Sequence, residues 1–273
     1  MNSFVQRAIT AFFFVGIMIG SALFESSYVV LMALITAFCT QEYMDITSKL
    51  RTYERNFERV NRFGLTIINV GSFLLSASII TWQMSSRFLV IIPALLFLFF
   101  ILELYSKSDR PLSNIALNLT GFIYIGLPFS LLNFIVFHTG SYNSGILIGI
   151  LLLVWVYDAA AYIFGSLFGS RPLFKRISPN KTIEGSFAGL LVLTAFGFGL
   201  GYIFEALSPL QWAAISWIVA YFSANGDLIE SMIKRSLDIK DTGNIMPGHG
   251  GFLDRFDAFI FVIPFIALFL LCF

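Results

Sequence analysis

Charge is scarce in this sequence: Asp, Glu, Lys and Arg make up only 12% of its 273 residues, about half the share of an ordinary soluble domain. Too little polar surface is left for a water-soluble globule of this size. Cysteine is nearly absent. Cys39 and Cys272 fall in separate apolar segments with no Cys or His nearby at ligand spacing, which excludes a disulfide framework and a thiolate metal site. There is no internal repeat, low-complexity tract or long linker. The missing repeat argues against a secondary transporter, whose halves are commonly duplicated. Nothing in the chain calls for a nucleic-acid partner.

What is present is apolar. Hydrophobic residues make up 58% of the chain, and 32 residues are Phe. A helix crossing a hydrocarbon core of roughly 30 Å takes about 20 mainly apolar residues. The sequence predicts nine such spans, near 8–24, 28–43, 64–82, 88–104, 115–137, 145–168, 183–204, 210–233 and 256–273. These runs are too long and too unalternating for barrel strands, so the expected fold class is all-α, a polytopic transmembrane protein surrounded by membrane lipids. Segment 8–24 is read as an uncleaved first span rather than a signal peptide, because keeping it makes the charge of every later loop consistent. On that reading all Lys and Arg except Arg87 fall on one side. The positive-inside rule then places the N-terminus in the cytoplasm and the C-terminus outside. One membrane domain, 1–273, is expected, with an N-terminal helical half (1–140) and a C-terminal half (141–273) that carries the polar motifs.

Several residues do not belong in lipid. Asp158 interrupts the sixth span, where a carboxylate costs about 2.5–3.5 kcal/mol at a helix centre. Ala161, Tyr162 and Gly165 share its face, offering room for a close neighbour and a phenol that can hydrogen-bond. Asp158 either serves a site or pairs with a base to hold two helices together. At the end of the eighth span Asp227, Ser231 and Lys234 share one helical face, while Glu230 and Lys234 are spaced as an ordinary surface ion pair.

After that span comes a loop with Lys240, Asp241, Gly243, Gly248, His249, Gly250 and Gly251, followed by Asp254, Arg255 and Asp257. Glycines let backbone N–H groups approach phosphate oxygens closely. Mg²⁺ is usually held by one or two carboxylates together with substrate phosphates; Asp227 and Asp254 suit it, at the ends of adjacent antiparallel spans. Asp257 either joins that site or binds Arg255. His249 reads as a base, a phosphate donor or a plain loop residue. A second loop on the same side carries Arg171, Lys175, Arg176 and Lys181. It reads as a basic anchor beside anionic lipid, or as a phosphate site where Ser178-Pro179-Asn180-Lys181-Thr182 turns into a helix start.

Together, Ser231-x-x-Lys234-Arg235, Lys240-Asp241-x-Gly243, Pro247-Gly248-His249-Gly250-Gly251 and Asp254-Arg255-x-Asp257 resemble the signature of the phosphatidate cytidylyltransferases, or CDP-diacylglycerol synthases. Asp158-x-x-Ala161-Tyr162-x-x-Gly165 and the stretch from Ser178 through Glu184 to Gly185 resemble that family as well. The resemblance implies an enzyme of phospholipid biosynthesis in the inner membrane, with its site facing the cytoplasm. It would join CTP to phosphatidate, giving CDP-diacylglycerol and pyrophosphate, with Mg²⁺ held at Asp227 and Asp254 and K⁺ as a candidate second ion. Catalytic roles would fall to Asp227, Lys234, Lys240, Asp241, His249, Asp254, Arg255 and Asp257. Substrate contacts would fall to Asp158, Tyr162, Ser178, Lys181, Thr182, Glu184, Ser231, Arg235, Gly248, Gly250 and Gly251. A homodimer is implied by resemblance alone. The rival enzyme reading is a CTP-dependent lipid kinase. The Asp-Gly-x-x-Ala-Arg opening of the alcohol phosphotransferases that act on CDP-lipids is absent.

Overall fold

Every long apolar run becomes helix in the computed structural model, which describes residues 3–52, 55–243 and 250–273. The helices are α1 (Ser3–Ala22), α2 (Glu25–Thr47), α3 (Arg55–Thr81), α4 (Ile91–Tyr105), α5 (Pro111–Gly121), α6 (Leu127–Val136), α7 (Ser144–Phe168), α8 (Ile183–Leu200), α9 (Pro209–Ser236) and α10 (Leu253–Cys272). A π turn, Phe122–Gly126, joins α5 to α6. Among the described residues seven helical segments are long and apolar enough to cross a membrane, making this a multi-pass membrane protein. The apolar stretch described in α1, Ile9–Ala22, is shorter. α9 falls outside the seven because Gln211, Asn225 and the charged turns after Asp227 dilute its apolar run.

The polar breaks supply the caps. Asn143 accepts from Ile146 N (3.2 Å) at the start of α7, and Ser208 forms a capping box with Gln211 at the start of α9. One element departs from the all-α expectation. β1 (Pro172–Phe174) and β2 (Ser178–Thr182) pair as an antiparallel hairpin. The stretch expected to turn into a helix start does so from a strand: Thr182 ends β2 and caps α8 by accepting from Gly185 N at 3.2 Å.

The chain divides into two compact units, Met1–Phe134 with Asp241–Asp254, and Ile135–Lys240 with Arg255–Phe273. In the first, α2 packs on α3 and α5, and much of what is buried is polar. Arg51 Nη1 donates to Asn118 Oδ1 (2.7 Å), Asn118 Nδ2 to Asn61 Oδ1 (2.8 Å) and Asn114 Nδ2 to Glu103 Oε1 (2.9 Å). Tyr28 Oη donates to Asn133 Oδ1 (2.8 Å), whose Nδ2 donates to Ser76 Oγ (2.8 Å). Helices that lack a hydrophobic driving force for association are tied by such bonds, each worth on average about 0.6 kcal/mol.

The second unit is held by small residues instead. α7 packs closely on α8 and α8 on α9. A Cβ on Gly185 would lie 2.7 Å from Gly165 Cα, and one on Gly189 would lie 3.3 Å from Ala161 Cβ. The small face expected around Asp158 thus receives α8. Farther along α7, Gly149 lies against the fully buried Trp212 of α9. α10 meets α9 where Gly226 faces Ala258 and Phe261, beside the stacked rings of Phe222 and Phe265.

A Gly149→Val substitution drives a branched side chain into the Trp212 ring. We expect a loss of about 1–3 kcal/mol, as for other overpacked cores, read as a lower melting temperature in detergent. An unchanged melting temperature would contradict this account of the α7–α9 contact.

Candidate active site

Where α7 and α8 close at Gly165 and Gly185, a cavity of about 520 Å³ opens in the second unit. α7 contributes Asp158 and Tyr162 to it, β2 contributes Asn180 and Lys181, Thr182 sits at the cap, and α9 contributes Asp227. Lys181 Nζ forms an ion pair with an Asp227 carboxylate oxygen across the cavity. Both side chains keep about a third of their surface exposed (31% and 37%), so the pair is worth little as a structural bond. Its charges remain available to a ligand.

The hairpin that carries Lys181 is anchored by Glu184, in the first turn of α8. That carboxylate accepts from Ser170 N (3.1 Å), Ser170 Oγ (2.8 Å) and Arg171 N (3.1 Å). Among the described residues, those lining the cavity do not include Ser178, Glu184, Ser231 or Arg235. Ser231 and Arg235 occupy the last turns of α9, and Lys240 and Asp241 are exposed in the chain beyond it.

Below Asp227 lies an acidic cluster. Ligand oxygens of Asp227, Glu230 and Asp257 lie within 4.8 Å of one another. The close approach of α10 to Gly226 brings Asp257 to α9, and an Asp257 oxygen accepts from Ala258 N at 2.7 Å. Glu230 pairs with Lys234 at 2.5 Å. The spacing suggested an exposed pair, but Glu230 is only 2% exposed, because it faces α10 rather than water. Sequence reasoning missed Glu230 as a member of the cluster; its place three residues after Asp227 was the available signal. Three hard oxygen donors with a nearby cation fit a divalent ion such as Mg²⁺.

Asp254, described in the first unit, sits in a cradle of backbone. Its carboxylate accepts from Thr242 N (3.0 and 3.3 Å) and Gly251 N (2.8 Å). Gly250 takes φ +85, and a Cβ there would lie 2.7 Å from Asp254 Oδ2; only glycine allows this approach. Arg255 is exposed near the start of α10. Gly248 and His249 lie outside the described residues.

A second cavity of about 530 Å³ shares Tyr157, Ser186 and Ala224 with the first. Its other walls are largely apolar and include Phe174, Phe187, Leu190, Trp217 and Tyr221. A cavity lined by charged side chains therefore adjoins a largely apolar groove.

The sequence profile described as the cytidylyltransferase family matches residues 5–273. Three relatives named phosphatidate cytidylyltransferase come from Staphylococcus saprophyticus (39% identical), Staphylococcus epidermidis (38%) and Staphylococcus aureus (36%). Each is matched over 168 residues, 61% of this chain. The chain spans 63% of the length of each of these relatives.

If the acidic cluster holds a divalent ion, Mn²⁺ added to purified protein should bind saturably, as read by electron paramagnetic resonance. We expect that binding to disappear in Asp227→Asn and weaken in Asp257→Asn. Wild-type affinity in both variants would remove the cluster as a metal site.

Proposed function

The chain belongs to the cytidylyltransferase family, and within it we propose that this protein is a phosphatidate cytidylyltransferase, converting CTP and phosphatidate to CDP-diacylglycerol and pyrophosphate. The observation that carries the reading is the cavity holding Asp158, Lys181 and Asp227, which shares a wall with the apolar groove. A phosphate head on acyl chains needs both environments at once. The positive-inside asymmetry supports a site facing the cytoplasm, where CTP is found, and the resemblance supports the inner membrane. A homodimer is the assembly we infer from the resemblance.

In this reading a phosphate oxygen of phosphatidate attacks the α-phosphorus of CTP in line. The new P–O bond forms as the bond to the β-phosphate breaks, and pyrophosphate leaves with the electron pair. The second pKa of a phosphate monoester is about 6, so the nucleophile arrives largely ionised and needs no strong base. Lys181 meets phosphate oxygens from the hairpin, and Asp158 and Tyr162 orient the substrate from α7. Asp227 and Asp254 are the proposed Mg²⁺ ligands, with Asp257 beside Asp227 and K⁺ as a candidate second ion. When bound, Mg²⁺ would offset charge on the nonbridging and leaving oxygens. Lys234 neutralises Glu230 within the cluster, while Lys240, Asp241 and Arg255 flank the glycine-rich loop.

The test uses α-³²P-labelled CTP and purified protein in detergent, with and without phosphatidate, in Mg²⁺ or EDTA. Phosphatidate- and Mg²⁺-dependent label in the lipid, with equal pyrophosphate, is expected. Release of CDP with another lipid acceptor would instead establish a lipid kinase. In the same assay Asp254→Asn should abolish turnover while the protein still folds and inserts, and substantial residual turnover would count against its metal role. His249→Ala should lose less; complete loss with normal CTP binding would make it an acid or base.

A further inference from the structure

Glu42 lies in α2, far in sequence from the signature, and is only 2% exposed. Among the described residues no Lys or Arg forms an ion pair with it. A carboxylate in an apolar helix costs about 2.5–3.5 kcal/mol, so its hydrogen bonds have to offset the burial. Oε1 accepts from Phe252 N (2.9 Å), and Oε2 accepts from Leu253 N (2.8 Å) and Thr242 Oγ1 (3.2 Å). These donors stand on both sides of the glycine-rich loop. One helical turn earlier, Phe38 stacks on Phe252 with ring centroids 4.9 Å apart. The glycines on each flank also yield to this carboxylate. A Cβ on Gly243 would lie 2.6 Å from Glu42 Oε1, and one on Gly251 would collide with both Glu42 and Thr242.

The contacts that Glu42 makes lead to Asp254. Thr242, held through its hydroxyl by Glu42, presents its backbone N–H to the Asp254 carboxylate, and Gly251 does the same just before the two amides that Glu42 holds. The Asp254 carboxylate holds the chain on both sides of the loop, Thr242 before it and Gly251 at its end. A second carboxylate, brought from α2, binds the incoming and outgoing chain together. We propose that Glu42 is a positioning residue for the reaction: by clamping Thr242 to the Phe252–Leu253 amides it fixes the orientation of the Asp254 carboxylate. This rests on the cytidylyltransferase reading and on Asp254 as a metal ligand. Partners that orient a metal ligand typically cost about 10–100-fold in metal affinity or activity when removed.

Glu42→Gln keeps the shape of the side chain but turns one acceptor into an N–H₂ facing a donor. It should lower kcat about 10–100-fold and raise the half-saturating Mg²⁺ concentration by about 10-fold, with KM for phosphatidate unchanged. Hydrogen exchange at the Phe252 and Leu253 amides should quicken. Thr242→Val removes only the hydroxyl and should give a smaller change in the same direction. It also decides the matter if Glu42→Gln does not accumulate, since wild-type kcat and Mg²⁺ dependence in Thr242→Val would then overturn the proposal. The same wild-type behaviour in Glu42→Gln, or a loss that tracks only the fraction of folded protein, would overturn it as well. If the wild-type protein transfers no cytidylyl group, the proposed function fails instead. The Mn²⁺ affinity of Glu42→Gln then decides the positioning role: weakened affinity supports it and wild-type affinity overturns it.

Discussion

Charge placed in an apolar helical bundle has to be compensated where it stands, because neither lipid nor packed side chains will solvate it. Within the described residues, acids of the C-terminal half meet this constraint in different ways. Asp227 has Lys181, Glu230 has Lys234, and Asp257 accepts from Ala258 N. Glu184 and Asp254 are satisfied by backbone N–H groups. Glu42, far from both motifs in sequence, is satisfied mainly in the same way. Buried ion pairs are weak evidence for stability, since desolvation offsets much of their attraction. In the proposed function these charges would serve a polyanionic substrate and its counter-ions.

Small residues make that site possible. Gly165 and Gly185 let α7 and α8 approach at the cytoplasmic end expected from the charge pattern, and the hairpin held by Glu184 then carries Lys181 over the opening. The polar cavity and the apolar groove share Tyr157, Ser186 and Ala224. The two cavities therefore adjoin along one wall. The proposed reaction takes one substrate from water and the other from lipid, and this adjacency would serve both.

The helices were legible in the sequence because apolar length is a local signal: each of the nine runs lies on helix. Asp158 and Asp227 were legible as carboxylates in apolar helices, and Lys181 as a cation in a basic loop that turns into a helix start. The hairpin was not, because Ser178-Pro179-Asn180-Lys181-Thr182 carries turn chemistry and its strand pairing is set by the anchoring of Glu184. Glu230 looked like half of a surface pair because spacing alone cannot show that α10 covers it. Glu42 left little trace, since Asp45 follows it near the end of the same helix and its partners lie about 200 positions away in the chain. The Asn and Arg network around Asn118 was equally hidden, since its meaning depends on which helices meet.

In the proposed function one polar cavity and the apolar groove beside it receive the two ends of a single lipid nucleotide. The most direct measurement is an experimental structure of the protein with CDP-diacylglycerol bound. The diphosphate is expected among Asp158, Lys181 and Asp227, with an acyl chain running past Trp217 and Tyr221. A diphosphate bound away from Lys181 and Asp227, with the groove filled only by unrelated lipid, would contradict it.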